Sequence, residues 1–186
     1  MKTRTRVLTG TALAVALGAG AFGAVSASAS PAATTAQAAA VSGKKDGPSD
    51  KDFTTTTHLT VDAATRAAQA ALRAAAAENQ KVTVAVVDRN GNTIVTLRGD
   101  GAGAQSYESA QRKAFTAVSW NAPTSVLAGR LAQTPNLKDI PGTLFLGGGT
   151  PVQANGAPVA GIGVAGAPSG DLDEKFAKAG VDALGK

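Results

Sequence analysis

Residues 142–166, GTLFLGGGTPVQANGAPVAGIGVAG, limit what this chain can fold into more than any other stretch. Short apolar runs at 143–146, 151–154 and 159–165 are separated by glycine-rich punctuation and by Asn155-Gly156. Both residues of an Asn-Gly pair tolerate positive φ, so the pair marks a tight hairpin, and the segment reads as strand, turn, strand, strand. Glycines among β-branched residues are costly to order. Strands accept them mainly where another backbone or a flat ligand comes close. The pattern therefore predicts that something lies directly against this part of a sheet.

The chain begins with a targeting pattern. Lys2, Arg4 and Arg6 form a basic start, residues 7–25 a small apolar run, and Val25-Ser26-Ala27-Ser28-Ala29 offers small-residue cleavage sites. Residues 1–30 are thus predicted to be a signal peptide and the mature protein to be secreted, an extracellular protein. Thr5 between the arginines favours the general secretory route over the twin-arginine route. No later apolar run approaches the roughly 20 residues that cross a bilayer, so no stable membrane insertion is expected. Loss of residues 1–30 takes away three basic residues and no acids, lowering the formal charge from +5 to +2. With no basic stripe interleaved with aromatics, nucleic acid is not an expected partner. The chain has no cysteine. That excludes thiolate catalysis, thiolate metal sites, iron–sulfur clusters and disulfide support.

Residues 31–52 mix Ala, Ser, Thr, Gly, Pro and charges without apolar periodicity and are predicted to be a flexible linker. The domain proper is placed at 53–186. Residues 54–59 are β-branched enough to be extended. Thr60 then precedes a helix in which Val61, Ala64, Ala68, Ala71, Leu72 and Ala75 recur at helical spacing, with Asp62 in the first turn. Runs at 82–88 and 93–97 flank Asn90-Gly91 and predict an antiparallel hairpin. Ser106 is read as the cap of a second helix over 107–119. Its inner side is assigned to Tyr107, Ala110, Ala114, Ala117 and Val118, with Glu108, Arg112 and Lys113 directed elsewhere. A short third helix is expected from Thr124 or Ser125 to Ala132, and a last one over 172–184 with Asp171 and Glu174 in capping-box positions. This order predicts an α+β fold, a single domain with a mainly antiparallel sheet of about five strands flanked by helices.

Composition disfavours a triad hydrolase and excludes a histidine-rich metal site. His58 is the only histidine, and there is no Gly-x-Ser-x-Gly elbow to present a nucleophile. The Gly147-Gly148-Gly149 run lacks the Gly-Lys-Ser/Thr of a phosphate loop and reads as a strand end or turn. A wider set of residues points elsewhere. It comprises Val84-Ala85-Val86-Val87-Asp88 with Gly91; Arg98-Gly99-Asp100-Gly101-Ala102; Ser106, Ala110, Arg112-Lys113-Ala114 and Thr116-Ala117; Pro141-Gly142; Gly147-Gly148-Gly149-x-Pro151 and Gly156; residues 161–166; and Asp173-Glu174 before Ala179-Gly180. Taken together, residues 59–184 resemble the GlcG/HbpS family of haem-degrading or haem-binding domains, and combined with the predicted signal peptide the chain looks most like the family's secreted actinomycete branch.

The resemblance implies an antiparallel sheet with flanking helices, a homo-octamer, and haem and iron as ligands. In the secreted branch it also implies redox sensing under oxidative stress, as accessory to a membrane sensor histidine kinase of a two-component system. It points to Thr143 as the haem-contacting residue, and to a Glu-x-x-Glu pair on the second helix as an iron site. Here that pair reads Glu108-Ser109-Ala110-Gln111, so an amide replaces the second carboxylate and weakens the site. His58 is the other iron candidate.

Each of these residues has a plainer reading beside the functional one. Thr143 fits a β-branched strand position, Glu108 an i,i+4 ion pair with Arg112, and His58 an ordinary surface side chain. Tyr107 and Trp120 suit porphyrin stacking or core and subunit contacts. Lys44, Lys45 and Lys51 fit a solvated linker. Usual haem ligands are His, Cys, Met or Tyr, and the mature chain offers only His58 and Tyr107, so an exposed site with an unusual oxygen ligand is expected. The leading reading is an extracellular haem- and iron-binding protein. The alternatives are a haem-degrading or peroxidase-like enzyme, and a structural oligomer with incidental haem affinity.

Overall fold

In the computed structural model, residues 47–185 are described. The signal-peptide segment and most of the linker lie outside them. The linker's last residues, Asp50–Asp52, form one 3-10 turn. The element order is α1 (Val61–Ala77), β1 (Thr83–Asp88), β2 (Thr93–Arg98), α2 (Ser106–Trp120), α3 (Thr124–Gly129), β3 (Gly149–Ala154), β4 (Ala157–Ala165) and α4 (Gly170–Asp182). The sheet has four antiparallel strands in the order β2-β1-β4-β3. The α+β class and single domain are as expected, and the sheet has one strand fewer.

The missing strand is the run at 143–146. Pro141 and Gly142 make a turn there, with Gly142 at φ 79° and the Thr143 amide donating to the Ile140 carbonyl. This is the Pro-Gly chemistry of a type II turn. The next amide, that of Leu144, donates to the Thr116 hydroxyl and not to a neighbouring strand. The residues after it are drawn to the helices, since the Phe145 ring packs edge-on against Trp120 at 5.3 Å.

The sheet is sandwiched between helices, and strand alternation decides which side chains meet which layer. Val84, Val86, Ile162 and Val164 face α1 and α4, forming the main core with the alanines of α1 and with Phe176. Ala85, Val87 and Ala165 face α2 and meet Ala110, Ala114 and Val118. The faces differ in volume because β4 alternates Gly161, Ile162, Gly163, Val164, Ala165. A Cβ on Gly161 would fall on the Ala114 carbonyl, and one on Gly163 on the Ala110 carbonyl, both well inside contact distance. What lies against the glycine-rich sheet is therefore the backbone of α2.

Local signals behave unevenly. Thr60 caps α1 as expected, accepting from the Ala63 amide. Asn155-Gly156 makes the tight β3–β4 hairpin with φ 52° and 77°. Ser106 proves to be the first helical residue of α2; its hydroxyl donates to the Gly103 carbonyl and shares a hydrogen bond with Thr83. At α4 the cap is Ser169, which accepts from the Leu172 amide, and not an Asp171–Glu174 box. Glu174 instead accepts from the Ser125 amide and hydroxyl, fastening α4 to the start of α3. α3 stops at Gly129, and Arg130–Ala132 continues as a 3-10 turn.

Candidate functional site

The α2 face turned toward β1 and β2 combines apolar, aromatic and basic side chains on one surface. A cavity of about 280 Å³ opens there, walled by Val87, Gly91, Phe115 and Gly142, with Thr93, Gln111 and Arg112 as its polar lining. Each wall residue has a local reason to be present. Val87 projects from β1 beneath α2. Gly91, at φ 89°, turns the β1–β2 hairpin so tightly that a Cβ would meet the Phe115 ring at 2.8 Å. Gly142 approaches the other edge of that ring, and α2 presents Gln111, Arg112 and Phe115 within little more than one helical turn. An apolar wall, a flat aromatic and one guanidinium suit a planar amphiphile carrying carboxylates.

Thr143 stands one residue beyond the Gly142 wall and is 6% exposed. Its hydroxyl donates to the Ile140 carbonyl at 2.7 Å, closing the turn. A hydroxyl spends only its proton in such a bond, so the Thr143 oxygen retains lone pairs for a metal or an acceptor role. Access to it is governed by the residue 140–143 turn, because so little of the side chain reaches solvent.

The predicted iron residues fall into two places. Glu108 and Gln111 lie on the same side of α2, one turn apart, but each is engaged separately. Glu108 is ion-paired with Arg112, and the Gln111 amide donates to the Thr96 hydroxyl of β2 at 3.2 Å. His58 belongs to the extended segment before α1, bonded to Thr56 at 2.7 Å and with Nδ1 3.8 Å from the Asp88 carboxylate. Val87 and Asp88 point to opposite faces of β1, so His58 and the cavity sit on different sides of the hairpin. Burial alone would raise the Asp88 carboxyl. The Asn92 and Asn90 amides, with His58 beside them, outweigh it and hold the group below the usual carboxylate range. Among the described residues no group of three or more His, Cys, Asp or Glu side chains converges on one point.

Two aromatic expectations separate. Tyr107, assigned to the inner side of α2, is 46% exposed, whereas Trp120 makes its contact with Phe145. Lys113 departs further. Assigned to the polar side, it is buried, with Nζ 2.7 Å from Asp173 and 3.1 Å from the Val164 carbonyl. Burial pushes the Asp173 carboxyl up, and the Lys113 ammonium and Ala167 amide pull it only partly back. The sequence offers one signal for this: helical spacing puts position 113 between Ala110 and Ala117 on the inner face. Phe115 and Thr116 carry no site signal in the sequence, since an aromatic and a hydroxyl on an amphipathic helix look like ordinary core and cap chemistry.

Among the described residues no helix is long and apolar enough to cross a membrane. A family model described as haem degrading protein HbpS-like matches residues 59–182. The fold is similar to the crystal structure of HbpS at 72% identity and a TM-score of 0.74, covering 75% of this chain and 99% of that one. A Streptomyces reticuli HbpS with two Glu-to-Asp substitutions is 71% identical over 75% of this chain and 96% of its own, with the same TM-score. More distant is the structure of a PduOC:haem complex, at 25% identity and a TM-score of 0.64, covering 69% and 96% of the two chains. An uncharacterized 15.0 kDa protein of Citrobacter freundii is 32% identical over 113 residues, 58% of this chain and 80% of the relative.

Proposed function

We propose, from the premise that this chain belongs to the HbpS-like family of haem-degrading proteins, that it binds haem in the cavity between α2 and the β1–β2 hairpin. The observation that carries this reading is an apolar, glycine-edged wall bearing the Arg112 guanidinium, with the buried Thr143 hydroxyl on the residue that follows Gly142 of that wall. Val87, Phe115, Gly91 and Gly142 would receive the macrocycle, Arg112 its carboxylates, and Thr143 the iron. Bound haem supplies an iron centre able to change oxidation state. The chain's own part is to exclude water from one face and to fix the ring's orientation. The PduOC:haem complex, a related fold that holds haem, supports haem as the ligand.

The finer reading is an extracellular haem and iron sensor. Export rests on the pattern in residues 1–30. Iron is assigned to Glu108 beside Gln111, with His58 as a second, separate site. The octamer and the sensor histidine kinase partner rest on the family resemblance, and exposed Tyr107, Val126, Ile140 and Leu146 give assembly an apolar surface to bury. Binding is favoured over turnover by the site's lack of a histidine or tyrosine ligand among its walls.

Charge reversal at the cavity tests the placement. Arg112→Glu should weaken haem affinity about tenfold, the effect of exchanging an attraction for a repulsion at a partly solvated site. Lys178→Glu, on α4, should leave it unchanged. Equal affinities in all three proteins would remove haem from this cavity.

A further inference from the structure

The Thr143 turn and the cavity helix are separate in sequence, and one side chain joins them. Thr116 is fully buried within α2. Its hydroxyl donates to the Arg112 carbonyl one turn back at 2.8 Å and accepts from the Leu144 amide at 2.8 Å. The first bond runs to the backbone of a cavity residue, the second to the residue following Thr143. No other hydrogen bond among the described residues ties 143–144 to α2.

Resting on the haem reading above, we infer that Thr116 is the positioning residue of the site. It fixes the height of the Ile140–Thr143 turn over Phe115, and so the place of the Thr143 oxygen relative to Arg112. A hydroxyl suits the task because it gives and receives at once. Valine of the same shape gives and receives nothing. Without the tether, the Leu144 amide loses its acceptor and the turn keeps only its internal bonds to Ile140, which hold its shape but not its position.

The test compares the wild-type protein with Thr116→Val and Thr116→Ser, following hemin titration, the visible Q and charge-transfer bands of bound haem, and hydrogen exchange at the Leu144 amide. The inference predicts that Thr116→Val weakens haem binding about tenfold, shifts those visible bands and speeds Leu144 exchange by a similar factor, as loss of one buried hydrogen bond implies. Thr116→Ser should restore all three. Should Thr116→Val fail to fold, Thr116→Cys, with a poor acceptor in the same place, is read the same way. If the wild-type protein binds haem and the valine or cysteine variant matches it in affinity and spectrum, the inference is overturned. If the wild type shows no saturable binding, the haem reading fails, and unchanged Leu144 exchange in the variant would then sink the tether as well.

Discussion

At the residue scale, Lys113 and Asp173 form the least replaceable pair in the domain. The ammonium has two acceptors and the carboxylate accepts from Lys113 and the Ala167 amide, so little hydrogen-bonding capacity is wasted in a site nearly closed to solvent. Breaking such a pair costs far more than the intact pair contributes, about 3–5 kcal/mol, because the remaining charge is buried alone. Lys113→Met should therefore destabilise the protein by that amount at neutral pH. The variant's pH dependence has a definite sign. Burial already raises Asp173 above its ordinary value, and removing Lys113 removes its chief opponent. A carboxyl whose folded pKa lies above its unfolded one favours folding more as pH falls through the folded value, with the full benefit below the unfolded value. Denaturant midpoints of Lys113→Met should thus recover toward wild type on acidification. A parallel fall in both proteins would argue against a lone buried carboxylate. Asp88 has the opposite sign: its folded pKa is lowered, so the stability it contributes is lost as pH falls through that lowered value.

At the element scale, the closeness of α2 to β4 sets the shape of the candidate site. Gly161 and Gly163 let the helix backbone rest on the strand, which brings Arg112 and Phe115 down to the level of the hairpin and the Gly142 turn. Gly163→Ala must push α2 off the sheet or leave it unfolded, and a loss of about 3 kcal/mol or more is expected from overpacking against immovable backbone. Gly156→Ala has open space around it and only its left-handed φ to strain, so about 1–2 kcal/mol is expected. Chemical denaturation of the two variants decides whether contact or conformation dominates. Much of this was legible beforehand, because the alternation of Gly and large residues in β4, the Thr60 cap and the Asn155-Gly156 hairpin are local codes. The 143–146 run was not. Its residue types suit a strand, but its amide is claimed by Thr116, 28 positions away, and its ring by Trp120. Lys113 and the Ser169 cap escaped for a related reason: a buried lysine shows itself only once its distant carboxylate is in place, and two possible caps compete two residues apart. The family resemblance points to Thr143 and Glu108; the place of Phe115 in the cavity wall and the hydrogen bonds of Thr116 are seen only in the fold.

At the scale of the whole molecule, a domain without disulfides keeps large apolar side chains in water. Leu146, directly before the triple glycine, is 58% exposed, and Val126 on α3 is 57% exposed. Association would bury them. Leu146→Glu should accordingly lower the sedimenting mass of the wild-type assembly by placing a charge where an apolar contact is expected. An unchanged mass would locate the interface elsewhere. The Glu108–Arg112 pair is exposed and i,i+4, worth about 0.3–0.5 kcal/mol, so a carboxylate of haem can displace Glu108 at little cost. The proposed haem site joins the glycine-edged cavity to Thr143, the residue after Gly142. The most direct measurement is a hemin titration of the mature protein through the Soret band, with Thr143→Ala beside it. The account predicts saturation at fixed stoichiometry in the wild-type protein, and a weaker, spectrally shifted band in the variant at unchanged sedimenting mass. A band that never saturates, or one identical in both proteins, would contradict it.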